Sequence, residues 1–170
     1  MHEPVEENSA APSFLDFAEF KRTTAVSARS ICREIWLAGG AGGKVKNETT
    51  AVANLEKIVR ATLKLANRKG FAATSLRDLS AETGLSMGGL YAYIGGKDEL
   101  AELIQLHGRA LNSTVLHDQM NGFETSADKL RAGLRAHLFL SEMIQAWFFF
   151  CFMEARHLAK PQKKAAIESE

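Results

Sequence analysis

Long hydrophobic runs are missing from this chain. The most apolar stretch, Met143 to Met153, is bracketed by Glu142 and Glu154 and falls well short of the ~20 residues needed to cross a bilayer. It reads as a buried helix, and no membrane partner is expected. Proline is scarce, three in 170 residues, so little interrupts helix formation. Cysteine is scarcer still: Cys32 and Cys151 stand far apart with no CxxC pair and no Cys/His cluster near either. That excludes a disulfide framework and a zinc module, predicts no metal site and no cofactor, and suits a reducing cytoplasm. Lys and Arg are absent before Lys21, where Glu3, Glu6, Glu7, Asp16 and Glu19 stand instead, the reverse of the basic start of an export signal. No segment alternates with period two for long enough to make a strand, and no repeat of solenoid length is present. A net charge of only +1 gives no bulk attraction for polyanions, so a nucleic-acid partner must be argued from local arrangement.

What is present is helical. A hydrophobic fraction of 46% beside 24% charged residues is that of an ordinary globular chain, long enough for one good core or for a small domain plus a second module. Residues 1–12 are acidic and carry Pro4 and Pro12, a composition that does not order on its own. Ser13 reads as an N-cap leading into Phe14, Phe17 and Phe20, and Ser27 to Ala38 forms a second short helix stopped by Gly39-Gly40. Gly39 to Asn47 has the composition of a flexible linker. A phosphate loop there would need Gly at position 38 and Ser or Thr at 45, where Ala38 and Val45 stand.

From Thr50 the pattern sharpens. Val52, Leu55, Val59, Thr62, Leu63 and Ala66 share one apolar stripe at helical spacing, and Gly70 ends the helix. Ser75 and Asp78 have capping-box spacing at the start of a brief second helix with Leu76 and Leu79 inward. Thr83-Gly84-Leu85-Ser86 breaks it, and a third helix runs from Ser86 to Tyr93 or Ile94 until Gly95-Gly96. A fourth starts at Lys97 with the stripe Leu100, Leu103, Ile104, His107, Leu111 and Val115. Beyond Asn121-Gly122, Leu130, Leu134, His137 and Ser141 continue into Ile144, Phe148, Cys151 and Ala155 as one long helix or two abutting ones. The fold class is therefore all-α.

Two short helices joined by a tight glycine turn, from Thr74 to Tyr93, match a helix-turn-helix unit, whose second helix enters the major groove of DNA. Gly84 stands where a positive φ costs least, Leu85 can plug the gap behind it, Ala81 is small enough for close helix approach, and Ser86 caps the second helix with N–H groups left to face phosphate. The segment TSLRDLSAETGLSMGGLYAYIGGKDEL, with LEKIVRATLKLANRKGF before it, resembles the tetracycline-repressor (TetR/AcrR) family of bacterial transcriptional regulators over about residues 50 to 110.

That resemblance implies roles. Met87, Gly88 and Gly89 face base edges, Tyr91 and Tyr93 reach phosphates and bases, Lys97 binds phosphate, and Ser75 and Arg77 contact phosphate or a base. The base-facing trio has no hydrogen-bonding side chain, so readout falls to apolar contact with thymine methyls, close approach at the glycines, Arg77 and DNA shape. The resemblance also implies a homodimer on a palindromic operator, repression released by a small-molecule effector, and a helical effector and dimerisation domain. His107, His137, Trp147 and Phe148 are the candidate pocket residues. The expected layout is an N-terminal extension (1–48), the DNA-binding domain (49–110) and a partial helical domain (111–170) that lacks the usual dimer helices.

Other readings compete. Gly84-Leu85-Ser86-Met87-Gly88 spells the GxSxG elbow of serine hydrolases, but that motif needs a strand before the serine. No enzymatic activity is expected. A helical interaction protein that keeps the fold without an operator is the other alternative. The basic residues Lys21, Arg22, Arg29, Arg33, Lys44 and Lys46 read either as an arm reaching DNA or as a solvated linker and helix face.

Overall fold

The computed structural model describes residues 13–39 and 45–154, and every regular element among them is a helix. In chain order these are α1 (Phe17–Thr24), α2 (Ala28–Leu37), α3 (Glu48–Lys69), α4 (Leu76–Thr83), α5 (Met87–Tyr91), α6 (Lys97–Asn121), α7 (Ser126–Met143) and α8 (Gln145–Glu154). The readings of Pro4, Pro12 and Lys44, and of Ala155 onward, lie outside the described residues.

Local chemistry sets most helix starts. Ser27 caps α2 by accepting from the Ser30 amide, Asn47 caps α3 through Thr50, and Thr125 caps α7 through Asp128. Two starts differ from expectation. The first cap is Asp16, whose carboxylate accepts from the Glu19 amide, so Ser13 lies outside the helix. Helix α3 begins at Glu48 because Asn47 supplies a cap earlier than Thr50.

Helix α3 is the centre of the molecule. The expected stripe is buried at Val52, Leu55, Val59, Thr62 and Leu63, but Ala51, Ile58, Ala61 and Leu65 are buried as well. Burial exceeds one stripe because α2, α4 and α8 all pack against α3. Arg29 and Arg33 of α2 pair with Glu56 and Glu48 of α3 at 3.6 and 2.7 Å. These two arginines are spent on holding α2 in place and do not form a free basic arm. The start of the chain is tied down too: Phe14 stacks on Phe123, Phe17 and Phe20 lean on Phe139, and Arg135 donates to the Leu15 carbonyl at 3.0 Å.

The C-terminal helices depart most from the sequence reading. Leu130 and Leu134, which the helical spacing carries toward Ile144 and Phe148, are 63% and 57% exposed, and His137 is also exposed. The buried face of α7 is Ala132, Gly133, Ala136 and Leu140. Small residues win because they let α7 lie close on α6: a Cβ on Gly133 would come within 2.9 Å of Met120 Sδ. The chain then turns by 100° at Ile144 into α8, so no single described helix is long and apolar enough to cross a membrane. Helix α6 runs unbroken through the expected boundary at residue 110.

Trp147 fixes α8 on α6. It is 2% exposed, and its indole N–H donates to the Ile104 carbonyl at 2.9 Å. Burial pushes the thiols of Cys32 and Cys151 up to about 12, which makes both poor nucleophiles. Gly108 lies under the indole, where an added Cβ would sit 2.6 Å from Trp147 Nε1 and 3.0 Å from Cys151 Sγ. Gly108→Ala is therefore expected to destabilise the fold by about 1–3 kcal/mol through overpacking, despite alanine's better helix propensity. Urea unfolding of the two proteins measures this, and an alanine variant as stable as the parent would show that α8 is not seated on α6 in this way.

Candidate nucleic-acid interface

Helices α4 and α5 form the expected helix-turn-helix, and each part of the turn has a traceable cause. Gly84 takes φ +72° with nothing within 4 Å of where a Cβ would stand. Glycine is required there by backbone conformation and not by space. The Gly84 amide donates to the Ser80 carbonyl at 3.0 Å, Ser80 Oγ donates to the Leu85 carbonyl at 2.6 Å, and the Leu85 amide donates to Thr83 Oγ1 at 3.2 Å. Side-chain hydroxyls thus satisfy the turn. Ala81 is exposed and does not mediate helix approach; the Ser80 bond performs that joining. Leu79 and Leu90 are fully buried beneath the turn, with Leu85 packed beside them.

Ser75 caps α4 in a full capping box: its Oγ accepts from the Asp78 amide at 3.2 Å, while its own amide donates to Asp78 Oδ2 at 2.7 Å. Its hydroxyl proton also goes to Asp78 Oδ2, at 2.6 Å. Lys69 pairs with the same carboxylate at 2.8 Å, and this hydrogen bond, aided by Ser75, holds the Asp78 carboxyl well below the usual range. The Ser75 hydroxyl is thus engaged by protein. Thr74 is likewise turned inward, donating to the Gly70 carbonyl at 3.0 Å. Arg77, in the first turn of α4, is exposed and forms no ion pair among the described residues.

Ser86 caps α5 by accepting from the Gly89 amide at 3.0 Å, between two helices and not after a strand, so the hydrolase elbow lacks its scaffold. Met87, Gly88 and Tyr91 are exposed on the outer side, with open space around Gly88. Gly89 is half-buried, 3.3 Å from Ser86 Oγ at its notional Cβ. Regular α-helix ends at Tyr91, earlier than Tyr93 or Ile94. A tight bond from the Tyr93 amide to the Leu90 carbonyl, 2.9 Å, closes the last turn.

Tyr93, expected to reach DNA, is turned inward. It is 6% exposed, and its hydroxyl accepts from Asn54 Nδ2 of α3 at 2.8 Å. Two tyrosines spaced by two on a helical turn must point to different sides, and here Tyr91, 45% exposed, takes the outer one. Asn54 was not singled out in the sequence. The available signal was a lone amide between Ala53 and Leu55 in an apolar stretch of helix, where such a residue needs a partner.

Lys97 donates from Nζ to the Ala72 carbonyl at 2.9 Å and lies 4.7 Å above the Phe71 ring, which meets Phe150 of α8 edge-on at 5.2 Å. Its ammonium has three N–H groups, so this contact orients the charge and leaves donors over. The four expected pocket residues stand in different surroundings. Trp147 is filled against by Gly108, His137 is exposed and meets Phe148 edge-on at 5.3 Å, and His107 is half-buried on α6, where burial holds its imidazole below the usual range. A cleft of about 390 Å³ lies elsewhere, between α2 and α3, along Ser27, Arg29, Ser30, Arg33 and Val52. No group of His, Cys, Asp and Glu suited to a metal ion occurs among the described residues.

Residues 58–104 match the family model of bacterial regulatory proteins, tetR family. The match runs from the middle of α3 through α4 and α5 into α6. No curated protein and no solved structure matches the chain significantly.

Because Gly84 is needed for its φ alone, Gly84→Val is expected to cost roughly 1–3 kcal/mol, concentrated in the α4–α5 unit. Thermal melting checks it; a valine variant with the parent's melting temperature would mean the turn does not hold this left-handed conformation.

Proposed function

We propose, from the match of residues 58–104 to the model of bacterial regulatory proteins, tetR family, that the chain is a sequence-specific, operator-binding repressor whose reading surface is the outer side of α5. The observation that carries this is the exposure of Met87, Gly88 and Tyr91 together on the second helix of the turn, with space around Gly88 for a close approach of backbone to bases. Arg77 on α4 and the oriented ammonium of Lys97 on α6 supply positive charge from the helices before and after α5 in the chain. Such an arrangement divides the work: cations and helix N–H groups fix register on phosphates, while the apolar and glycine surface meets base edges. Ser75, Gly89 and Ser86 act in this reading by holding α4 and α5 at the right angle, and Tyr93 acts from within.

Pairing of two copies on an inverted repeat follows from the geometry of helix-turn-helix recognition, where one unit covers only a half-site. Its support on this chain is the exposed ladder Leu130, Leu134 and Leu138 on α7, an apolar face of the kind that joins subunits. Release by a small effector, and work in the cytoplasm, rest on the family's general organisation alone.

Selection of bound duplexes from a random DNA pool tests the central reading, and an enriched inverted repeat is the expected result. Lys97→Met should then weaken binding to all sequences alike and shrink the slope of log K against log salt by about one unit. Gly88→Gln, which meets no steric obstacle in the fold, should change which bases are enriched. Failure to enrich any sequence would favour a helical interaction protein over a regulator. For assembly, Leu134→Glu is expected to shift the chain toward monomer in sedimentation velocity without loss of helicity, and an unchanged distribution would remove α7 from the interface.

A further inference from the structure

Helix α5 is too short to hold its own shape. It has five residues, two of them glycine, and isolated helices below ~12 residues are marginal in water even with good helix formers. Each glycine makes this worse. Its orientation is therefore imposed from outside, by the burial of Leu90 and Ile94 and by whatever fixes the turn at its C-terminal end. That turn contains Tyr93. The ring is buried in the core, and its hydroxyl accepts a hydrogen bond from Asn54 of α3, a bond between positions 39 residues apart in the chain.

We infer that Asn54 is a positioning residue for DNA recognition: through its hydrogen bond to Tyr93 it locks the rotation of α5 about its own axis and so aims Met87, Gly88 and Tyr91 at the groove. This rests on the assignment of α5 as the reading helix. Asn54 and the Tyr93 hydroxyl act on α5 through each other and not by contact with DNA. Base readout demands alignment of the whole surface, whereas attachment to phosphates tolerates misalignment and depends chiefly on charge. Loss of the bond should therefore cost specific binding and spare non-specific binding. A bond that merely stabilised the fold would lower both together, by way of the folded fraction.

The test uses the full chain with Asn54→Ala, Tyr93→Phe and the double variant. The probe is a duplex enriched by the unaltered protein, compared with a shuffled duplex of the same composition. Each single variant is expected to lower the ratio of specific to non-specific affinity by roughly 3- to 10-fold, the range of one neutral hydrogen bond. The double variant should lose no more than either single, because both changes delete the same bond. Amide hydrogen exchange at Leu90, Ala92, Tyr93 and Ile94 of the free protein should quicken in each variant while the melting temperature stays near the parent's. An unchanged affinity ratio, or losses that multiply in the double variant, would overturn the inference. If the unaltered protein enriches no duplex, the reading of α5 fails separately, and the exchange rates alone decide whether Asn54 holds the helix: unchanged exchange overturns it.

Discussion

Burial of α3 on most of its circumference is the constraint from which the rest of the architecture follows. A helix with Ala51, Leu55, Ile58, Ala61 and Leu65 all removed from water cannot be satisfied by a single neighbour. It is covered by α2 on one side, α4 on another and α8 on a third. Each covering helix brings a different consequence. Helix α4 carries the glycine turn and hence α5; α2 fixes the start of α3 through Arg33 and Glu48; α8 reaches Phe71, the residue over which Lys97 lies. Exposed ion pairs such as Arg33–Glu48 add at most about 1 kcal/mol each, so apolar coverage determines the arrangement and the charges select its register.

The candidate interface illustrates how a weak element can carry a precise surface. Nothing inside Met87–Tyr91 stabilises it strongly, yet its inner side is anchored by Leu90, Tyr93 and Ile94, so its outer side is defined by default. Lys97 shows the same logic applied to charge. Its contacts with the Ala72 carbonyl and the Phe71 ring remove much of the side chain's rotamer freedom and hold the ammonium in one place.

Much of this was legible in the chain itself. Caps, the glycine at 84, the helix stop at Gly70 and the all-α class follow from interactions within a few residues, and such local chemistry is written directly in sequence. The motif around the turn was equally plain, because a helix-turn-helix demands particular residue types at fixed offsets. Even the short α5 could be foreseen to start at Ser86, although its last turn tightened sooner than its hydrophobic spacing implied.

What only tertiary structure decided is which of several equivalent faces each helix turned inward. On α7 the leucines Leu130 and Leu134 stay outside and the small face of Ala132, Gly133 and Ala136 went inward, since close approach to α6 gains more contact than leucine bulk would allow. Tyr91 and Tyr93 were indistinguishable by type. Their fates were set by Asn54, a residue far away in sequence whose amide could satisfy a buried hydroxyl. Sequence by itself determined most of the helices and the turn, because those depend on near neighbours. Packing decided which side chains stay exposed, because burial and hydrogen-bond satisfaction depend on residues that the chain brings together only by folding.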